Sequence, residues 1–352
     1  MEPQLKKLGS SLQVPNVQEM AKETLTTVPA RYLRPNQDHL VSSLPENEIP
    51  VIDMQDLLEG DTMDSELEKL HSACKEWGFF QLINHGVNSS KVEKMKLEIQ
   101  EFFNLPIEEK SKFSQEAGDI EGYGQAFVVS EEQKLDWADL FFVITLPPHL
   151  RKPHLIPKLP AKFRDAIEEY ATELKNLDMK ILNLMAKALH MKAEEMNVVF
   201  EEGMQAMRMN YYPPCPQPEL VTGLCPHSDS VALTILLQVN EIEGLQIKKD
   251  GAWIPVVPLP NAFVINIGDI LEMVTNGIYR SIEHRATVNS KKERLSIATF
   301  FNPNMDADLG PAPSLVTPET PAKFKTISFA DYLKGLFSRE LDGKSYLDSM
   351  RI

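Results

Sequence analysis

The sequence predicts a mixed α and β fold, with an antiparallel β sandwich or barrel in the second half of the chain and helices flanking it. Three observations carry this. Between Pro160 and His190, the apolar residues Phe163, Ile167, Tyr170, Leu174, Leu177, Ile181, Leu184 and Ala188 alternate steps of four and three. That spacing is one long amphipathic helix whose stripe packs on a core. From Gln205 to about Phe301 the pattern changes to short β-rich runs. Turn signals separate the runs, among them Asp250-Gly251 and Asn276-Gly277, which mark hairpin or tight-turn sites and favour antiparallel sheets.

Taken in order, residues 1–48 form a polar, irregular N-terminal extension, with a helix expected near Pro15 to Thr27. The run IPVIDM reads as a first strand. Leu67, Leu70, Cys74 and Trp77 then fall at helical spacing, and Gly78 is a stop signal. GFFQLINHG reads as a second strand. A further helix follows, capped by Asn88 or Ser89, with Val92, Met95, Ile99 and Phe102 on one face and Asn104, Leu105 and Pro106 at its end. The chain therefore divides into the extension, a region 49–204 that includes the long helix 161–190, a β-rich region 205–305, and a tail 306–352 expected to be helical and packed on the β body.

Composition narrows the function. With 43% hydrophobic and 25% charged residues, the 352-residue chain has ordinary globular proportions and needs no covalent staples. A net charge of −15 without a basic block repels phosphate backbones, so nucleic acid and anionic membrane are poor partners and a small molecule is the better one. Three cysteines without CxxC spacing fit a reducing compartment. The N-terminus lacks an apolar leader core, and no run is long enough to span a bilayer; a cytoplasmic monomer is expected.

Of the eight histidines, only His227 and His284 lie in the β-rich region. In CPHSDSVALTILLQV, Asp229 follows His227 at i+2, so on an extended strand both side chains share a face. That pair alone is weak, but His284 in YRSIEHRATV supplies a third ligand. Two histidines and one carboxylate form the facial triad that leaves adjacent positions open on iron(II), whereas a closed structural zinc site more often uses cysteine. Cys225, at i−2 from His227, is a candidate for facing the pocket. In ERLSIATFF, Arg294 and Ser296 also share a face, where the guanidinium can grip a carboxylate and the hydroxyl can add a hydrogen bond. Both faces of that strand read as buried, so the arginine needs a partner. In MQAMRMNYYPP the same parity groups Arg208, Asn210 and Tyr212, unless a bulge near Pro213 and Pro214 intervenes.

The HSD pair, the distant histidine and RLS resemble the plant 2-oxoglutarate-dependent dioxygenases related to isopenicillin N synthase. The likeness extends to IPVIDMQDLL, CKEWGFFQLINHGV, DWADLFFVITLPP, MNYYPPCPQPE, GLQIKKDGAWIPV, INIGDILEMVTNGIYRSIEHR and RLSIATFFNP, which is most of the chain from about residue 49. HSD stands where HTD is commoner, a change at a non-ligand position. The resemblance implies a double-stranded β-helix, or jelly roll, flanked by helices. It also implies iron(II) on His227, Asp229 and His284, 2-oxoglutarate held by Arg294, Ser296, Tyr212 and Asn210, and consumption of O₂, with ascorbate in support. Succinate and CO₂ would be released as the substrate is hydroxylated or, at a methoxy carbon, demethylated. His85 belongs to the family's NHG signature and reads as a core histidine.

DWAD, TLP, LRKPHL and the LDGKS and LDSMRI ending are most similar to the senescence-related group and the poppy alkaloid O-demethylases. The resemblance therefore implies specialised metabolism of an alkaloid, flavonoid, coumarin or other phenolic, with Leu140, Phe142, Arg208, Phe300 and Asn302 lining an apolar pocket. Tyr123, in GDIEGYGQAF, is expected on a loop over that pocket. Hydroxylation and desaturation remain alternatives to demethylation, as does an oxidase needing no 2-oxoglutarate. A ligand-binding protein on a silent scaffold has no need of three intact ligands.

Overall fold

The computed structural model describes residues 11–23, 25–34, 48–59, 61–116, 119–337, 339 and 342–352. Part of the expected N-terminal extension, and part of the tail around SRELD, lies outside these. The described residues build two sheets around the site and a third of two short strands in the tail, Asp308–Leu309 with Ile327–Ser328. The first has strand order β1 (Val51–Asp53), β2 (Phe79–Ile83), β10 (Phe263–Ile267), β7 (Leu233–Gln238), β12 (Arg294–Phe301), β5 (Gln205–Tyr212), β4 (Asp139–Leu146) and β3 (Gly122–Gly124). The second runs β6 (Leu224–His227), β11 (His284–Ala286), β8 (Leu245–Lys249) and β9 (Ala252–Pro255). Every pairing in both sheets is antiparallel except β1 with β2. This is the expected jelly-roll architecture.

The large sheet crosses the segment boundary at residue 204, because β4 pairs with β5 and β2 pairs with β10. The N-terminal region therefore completes the catalytic sheet instead of standing beside it. Helix α1 (Val17–Lys22) precedes that region, whose helices include α2 (Met63–Ser72), α3 (Ser89–Asn104) and α4 (Ala161–Ala188). In α4 the stripe from Phe163 to Leu184 is buried, and Leu182, Met185 and Ala186 widen it. Each large apolar side chain so buried contributes roughly 1.5–3 kcal/mol, which offsets the ordering of the helix. The α3 cap is Asn88, whose side chain accepts from Ser90 N. Beyond α2 the chain makes a π turn, Ala73–Trp77, and stops at Gly78 with φ of 62°. A Cβ at Gly78 would collide with the Arg280 carbonyl, so glycine is required twice over.

Asp250 and Gly251, with φ of 51° and 82°, close the β8–β9 hairpin as expected. Asn276-Gly277 is a tight turn too, with φ of 51° and 77°, but it follows a helix. Residues Asp269–Val274, expected among the β-rich runs, form α5, and all of its residues are buried. A helix buried on all sides shows no amphipathic stripe and reads like a core strand. The tail is helical as expected, with α6 (Phe329–Leu336) and α7 (Ser345–Ser349).

Candidate metal and cosubstrate site

His227 ends β6 and His284 begins β11, and the two residues stand directly opposite each other in the ladder, with ring centroids 4.3 Å apart. Asp229 is not on the strand. β6 stops at His227, so the i+2 parity argument reaches the right residue through the wrong conformation. The carboxylate is instead held by its surroundings. Its backbone carbonyl accepts from Asp269 N at 2.8 Å, and Oδ2 accepts from Thr234 Oγ1 at 2.6 Å and Asn266 Nδ2 at 2.8 Å. That leaves Oδ1, which lies 3.4 Å from His227 Nε2 and 3.5 Å from His284 Nε2. Among the described residues, His227, Asp229 and His284 are the one cluster whose ligand atoms all fall within 4.8 Å of one another.

The donor chemistry fits a divalent cation. Each histidine turns Nδ1 to a backbone carbonyl, His227 to Cys225 O at 2.8 Å and His284 to Ile282 O at 3.2 Å. These bonds put the proton on Nδ1 and leave the Nε2 lone pair facing inward. Burial, followed by the proximity of His227, lowers the His284 pKa to about 4, so its imidazole is neutral at physiological pH, as a metal ligand must be. Burial pushes the Asp229 carboxyl up, but the two histidines and the Thr234 hydrogen bond outweigh it and hold the group well below the usual carboxylate range. Ser228, between two ligands, turns its hydroxyl away to Asp269 Oδ2 at 3.1 Å, so serine serves there without touching the cluster.

Below the triad lies a pocket whose lining includes Arg294, Ser296, Asn210 and Tyr212. The ladder explains the grouping: Arg294 pairs with Tyr212 and Ser296 with Asn210 across an unbroken β5–β12 register, so the feared bulge does not occur between those strands. Arg294 is 2% exposed, sits over the Tyr212 ring at 5.1 Å and donates to Gln238 Oε1 at 3.0 Å, while its Nε has no partner. A buried guanidinium with an unpaired N–H fits an anionic acceptor such as a dicarboxylate. Asn210 links the pocket to Arg208, whose Nε donates to Asn210 Oδ1 at 2.8 Å.

A second, upper cavity meets this pocket at His227 and Asp229, which line both. Phe142, Arg208, Phe300 and Asn302 line it, as the family likeness implies, and Arg208 and Phe300 border both cavities. Leu140 lines neither; it is 2% exposed and faces Asn210 in the β4–β5 pair. Tyr123 is not on a loop over the cavity either, since it sits in β3, 2% exposed, with its hydroxyl toward Asp139 Oδ2 at 3.4 Å. Ile120, Ala126 and Phe127, from the segment around it, do reach the cavity. The Cys225 side chain belongs to a separate polar cavity beside Arg34 and Asp136. His85 is partly buried, packs on Phe263 at 4.4 Å and lies within 3.2 Å of Asn261 O, a structural role distant from the triad.

Sequence reading missed Thr234, Asn266 and Gln238, and the wall supplied by Leu333, Leu336 and Phe337. Asn266 did carry a signal, as one amide inside the apolar run FVINI on a strand buried throughout.

The chain is also similar to known proteins along most of its length. Residues 203–303 match the 2OG-Fe(II) oxygenase superfamily, and residues 49–159 match the family described as non-haem dioxygenase in morphine synthesis N-terminal. Oxoglutarate-dependent flavonoid 7-O-demethylase 1 of Ocimum basilicum is 67% identical over 99% of this chain and 93% of that protein. Thebaine 6-O-demethylase of Papaver somniferum is 57% identical over 99% of each. The crystal structure of JOX2 in complex with 2OG, Fe and JA superposes with a TM-score of 0.88 at 36% identity, over 97% of this chain and 98% of that one. Likeness of this depth, over nearly the whole chain and around a triad of this chemistry, makes the protein a member of the 2OG-Fe(II) oxygenase superfamily and a 2-oxoglutarate-dependent dioxygenase.

Proposed function

We propose that the protein hydroxylates a small, hydrophobic aromatic substrate of plant specialised metabolism, an alkaloid or a phenolic such as a flavonoid, and that at an aryl methyl ether the outcome is O-demethylation. The observation that carries this reading is the single free oxygen of Asp229, facing two histidine Nε2 atoms where the pocket lined by Arg294 and Ser296 meets a more apolar cavity. In this reading His227, Asp229 and His284 hold iron(II). Arg294, Ser296, Tyr212 and Asn210 hold 2-oxoglutarate. Phe142, Arg208, Phe300 and Asn302 face the substrate, and Leu140 is left to packing.

When bound, iron(II) and 2-oxoglutarate supply the oxidising chemistry, consuming O₂ and releasing succinate and CO₂. The chain's own contribution is positional. Thr234 and Asn266 tie up Asp229 Oδ2, so Asp229 would offer iron(II) its other oxygen, Oδ1, beside the two histidine Nε2 atoms. Arg294 neutralises the cosubstrate's far carboxylate in a dry pocket, where a charge-assisted pair is strong. Phe142 and Phe300 exclude water and orient a ring, while Arg208 offers a donor to an oxygen on it. Hydroxylation of a methoxy carbon gives a hemiacetal, which releases formaldehyde and leaves the phenol. The two relatives named as O-demethylases support this reading.

The same reading takes the protein as a cytoplasmic monomer with ascorbate as a supporting reductant. It keeps 1–48, 49–204, 205–305 and 306–352 as segments of one catalytic body. Among the described residues no helix is long and apolar enough to cross a membrane. The test is to incubate the iron-loaded protein with 2-oxoglutarate and a panel of methoxylated flavonoids, coumarins and alkaloids. Formaldehyde and succinate formed in equal amounts support O-demethylation. Gain of oxygen with the methyl group retained indicates plain hydroxylation, and substrate loss without succinate contradicts the cosubstrate assignment.

A further inference from the structure

Two aromatic rings that line the upper cavity come from segments far apart in the chain. Phe127 follows β3 and Phe337 follows α6, and their rings stack with centroids 5.7 Å apart and planes 18° from parallel. Both rings line the cavity and both are partly exposed, unlike the fully buried Phe102 and Phe141, which stack inside the core. Phe127 is held in an unusual way. Its φ is 63°, in the left-handed region that residues with a side chain rarely adopt. Neighbouring bonds enforce that conformation: Gln133 Nε2 donates to Phe127 O at 2.8 Å, Ser11 Oγ accepts from Val128 N at 3.2 Å, and Leu12 N donates to Val128 O at 2.8 Å. Backbone strain that persists because its surroundings fix it, at a residue facing a ligand cavity, points to a positional role for the side chain.

We propose that Phe127 and Phe337 form an aromatic clamp in the upper cavity, which selects flat aromatic ring systems by adding them to an existing stack. This rests on the reading of that cavity as the place of the substrate. A planar ring meets a near-parallel pair face on and extends it in offset-stacked geometry, without moving either partner. A bent polycyclic skeleton touches the pair only along an edge. With Phe300 shared between this cavity and the pocket below the triad, the clamp holds one end of a long flat molecule whose other end reaches the triad.

The test compares wild type with Phe127→Leu, Phe337→Leu and Phe337→Tyr, using 7-methoxyflavone as the flat probe and thebaine as the bent one. KM and kcat are measured for each, together with anaerobic binding of each probe by tryptophan fluorescence. Melting temperature and substrate-free succinate formation report that the variants are folded and loaded. The clamp predicts a wild-type kcat/KM at least about tenfold higher for the flat probe. It also predicts that each leucine variant raises KM and Kd for that probe by about five- to tenfold with kcat within twofold, that tyrosine restores wild-type values, and that values for thebaine move less than twofold. Leucine variants that match wild type on a demethylated flat probe overturn the clamp alone, as does equal weakening of both probes. A wild type that couples 2-oxoglutarate turnover to neither probe overturns both the clamp and the aromatic-substrate reading.

Discussion

Asp229 shows how much of this site depends on residues that touch neither cosubstrate nor substrate. A carboxylate can bind a cation through one oxygen or two, and Thr234 and Asn266 settle the choice by occupying Oδ2. Removing one of those donors frees the carboxylate to rotate, and outer-shell losses of this kind typically cost about 10- to 100-fold in metal affinity. Asn266→Ala is therefore expected to weaken binding of iron(II), or of manganese(II) as an air-stable substitute, by that factor in anaerobic calorimetry, with an unchanged melting profile. Arg294 acts on the other partner. Its side chain is buried with Nε unpaired, so Arg294→Ala should raise the KM for 2-oxoglutarate by about 10- to 100-fold, as loss of a charge-assisted hydrogen bond implies. The substrate KM should move far less, and equal movement of both would contradict the assigned role. The strand parity of Arg294 with Ser296 and of Arg208 with Asn210 and Tyr212 was legible because both strands are regular. Thr234 was not, and Asn266 shows in the sequence only as an amide in an apolar run without its partner, since nothing local brings β10 and β7 against the turn after β6.

At the level of elements, α4 is the clearest case of sequence fixing structure, because an exposed face and a buried face leave a periodic trace. It also holds an exception to its own pattern. Asp178 lies within the buried part of α4, 3% exposed, with Oδ1 unpartnered, and burial raises its pKa well above the usual range. Asp178→Leu removes that cost and suits the helix, so it should stabilise the protein by about 1–2 kcal/mol in urea unfolding. A destabilised variant would mean that Asp178 has a partner not yet recognised. α5 was read among β-rich runs for the opposite reason, since an element buried on every face carries no period to detect. The same limit hid the turn at Asp229. Two residues at i and i+2 share a face of a strand, but the tertiary contacts that stop β6 at His227 are made by α5, β7 and β10.

At the scale of the whole molecule, α1 and the residues before α7 are both anchored to the elements that build the site. Val17 N and Gln18 N, at the start of α1, donate to the two oxygens of Asp139 on β4 at 2.9 and 2.8 Å. Gly343, before α7, pairs with His227 and accepts from Ser228 N, and Lys344 reaches the buried Glu272 of α5 at 2.8 Å. Family motifs made this architecture legible, while the docking of these two segments depends on contacts between residues too far apart in sequence to leave a local pattern. The Asp139 anchor has a pH signature. Burial raises its pKa from 3.8 to about 6 despite the backbone hydrogen bonds, so the folded state binds a proton more tightly than the unfolded state does. This group's contribution to stability is therefore greatest below pH 4 and declines as pH rises to about 6 and beyond. The stability of wild type relative to Asp139→Asn should fall across that window in thermal melts, and a flat difference would contradict the assignment. One iron(II) and one 2-oxoglutarate per chain are expected at the junction of the two cavities. Anaerobic titration of iron(II) and 2-oxoglutarate, followed by their visible charge-transfer absorption, tests this directly. A band saturating at one iron per chain is expected in wild type, lost in folded His227→Ala, and shifted to much higher 2-oxoglutarate concentration in Arg294→Ala. A band of wild-type strength in His227→Ala would contradict it.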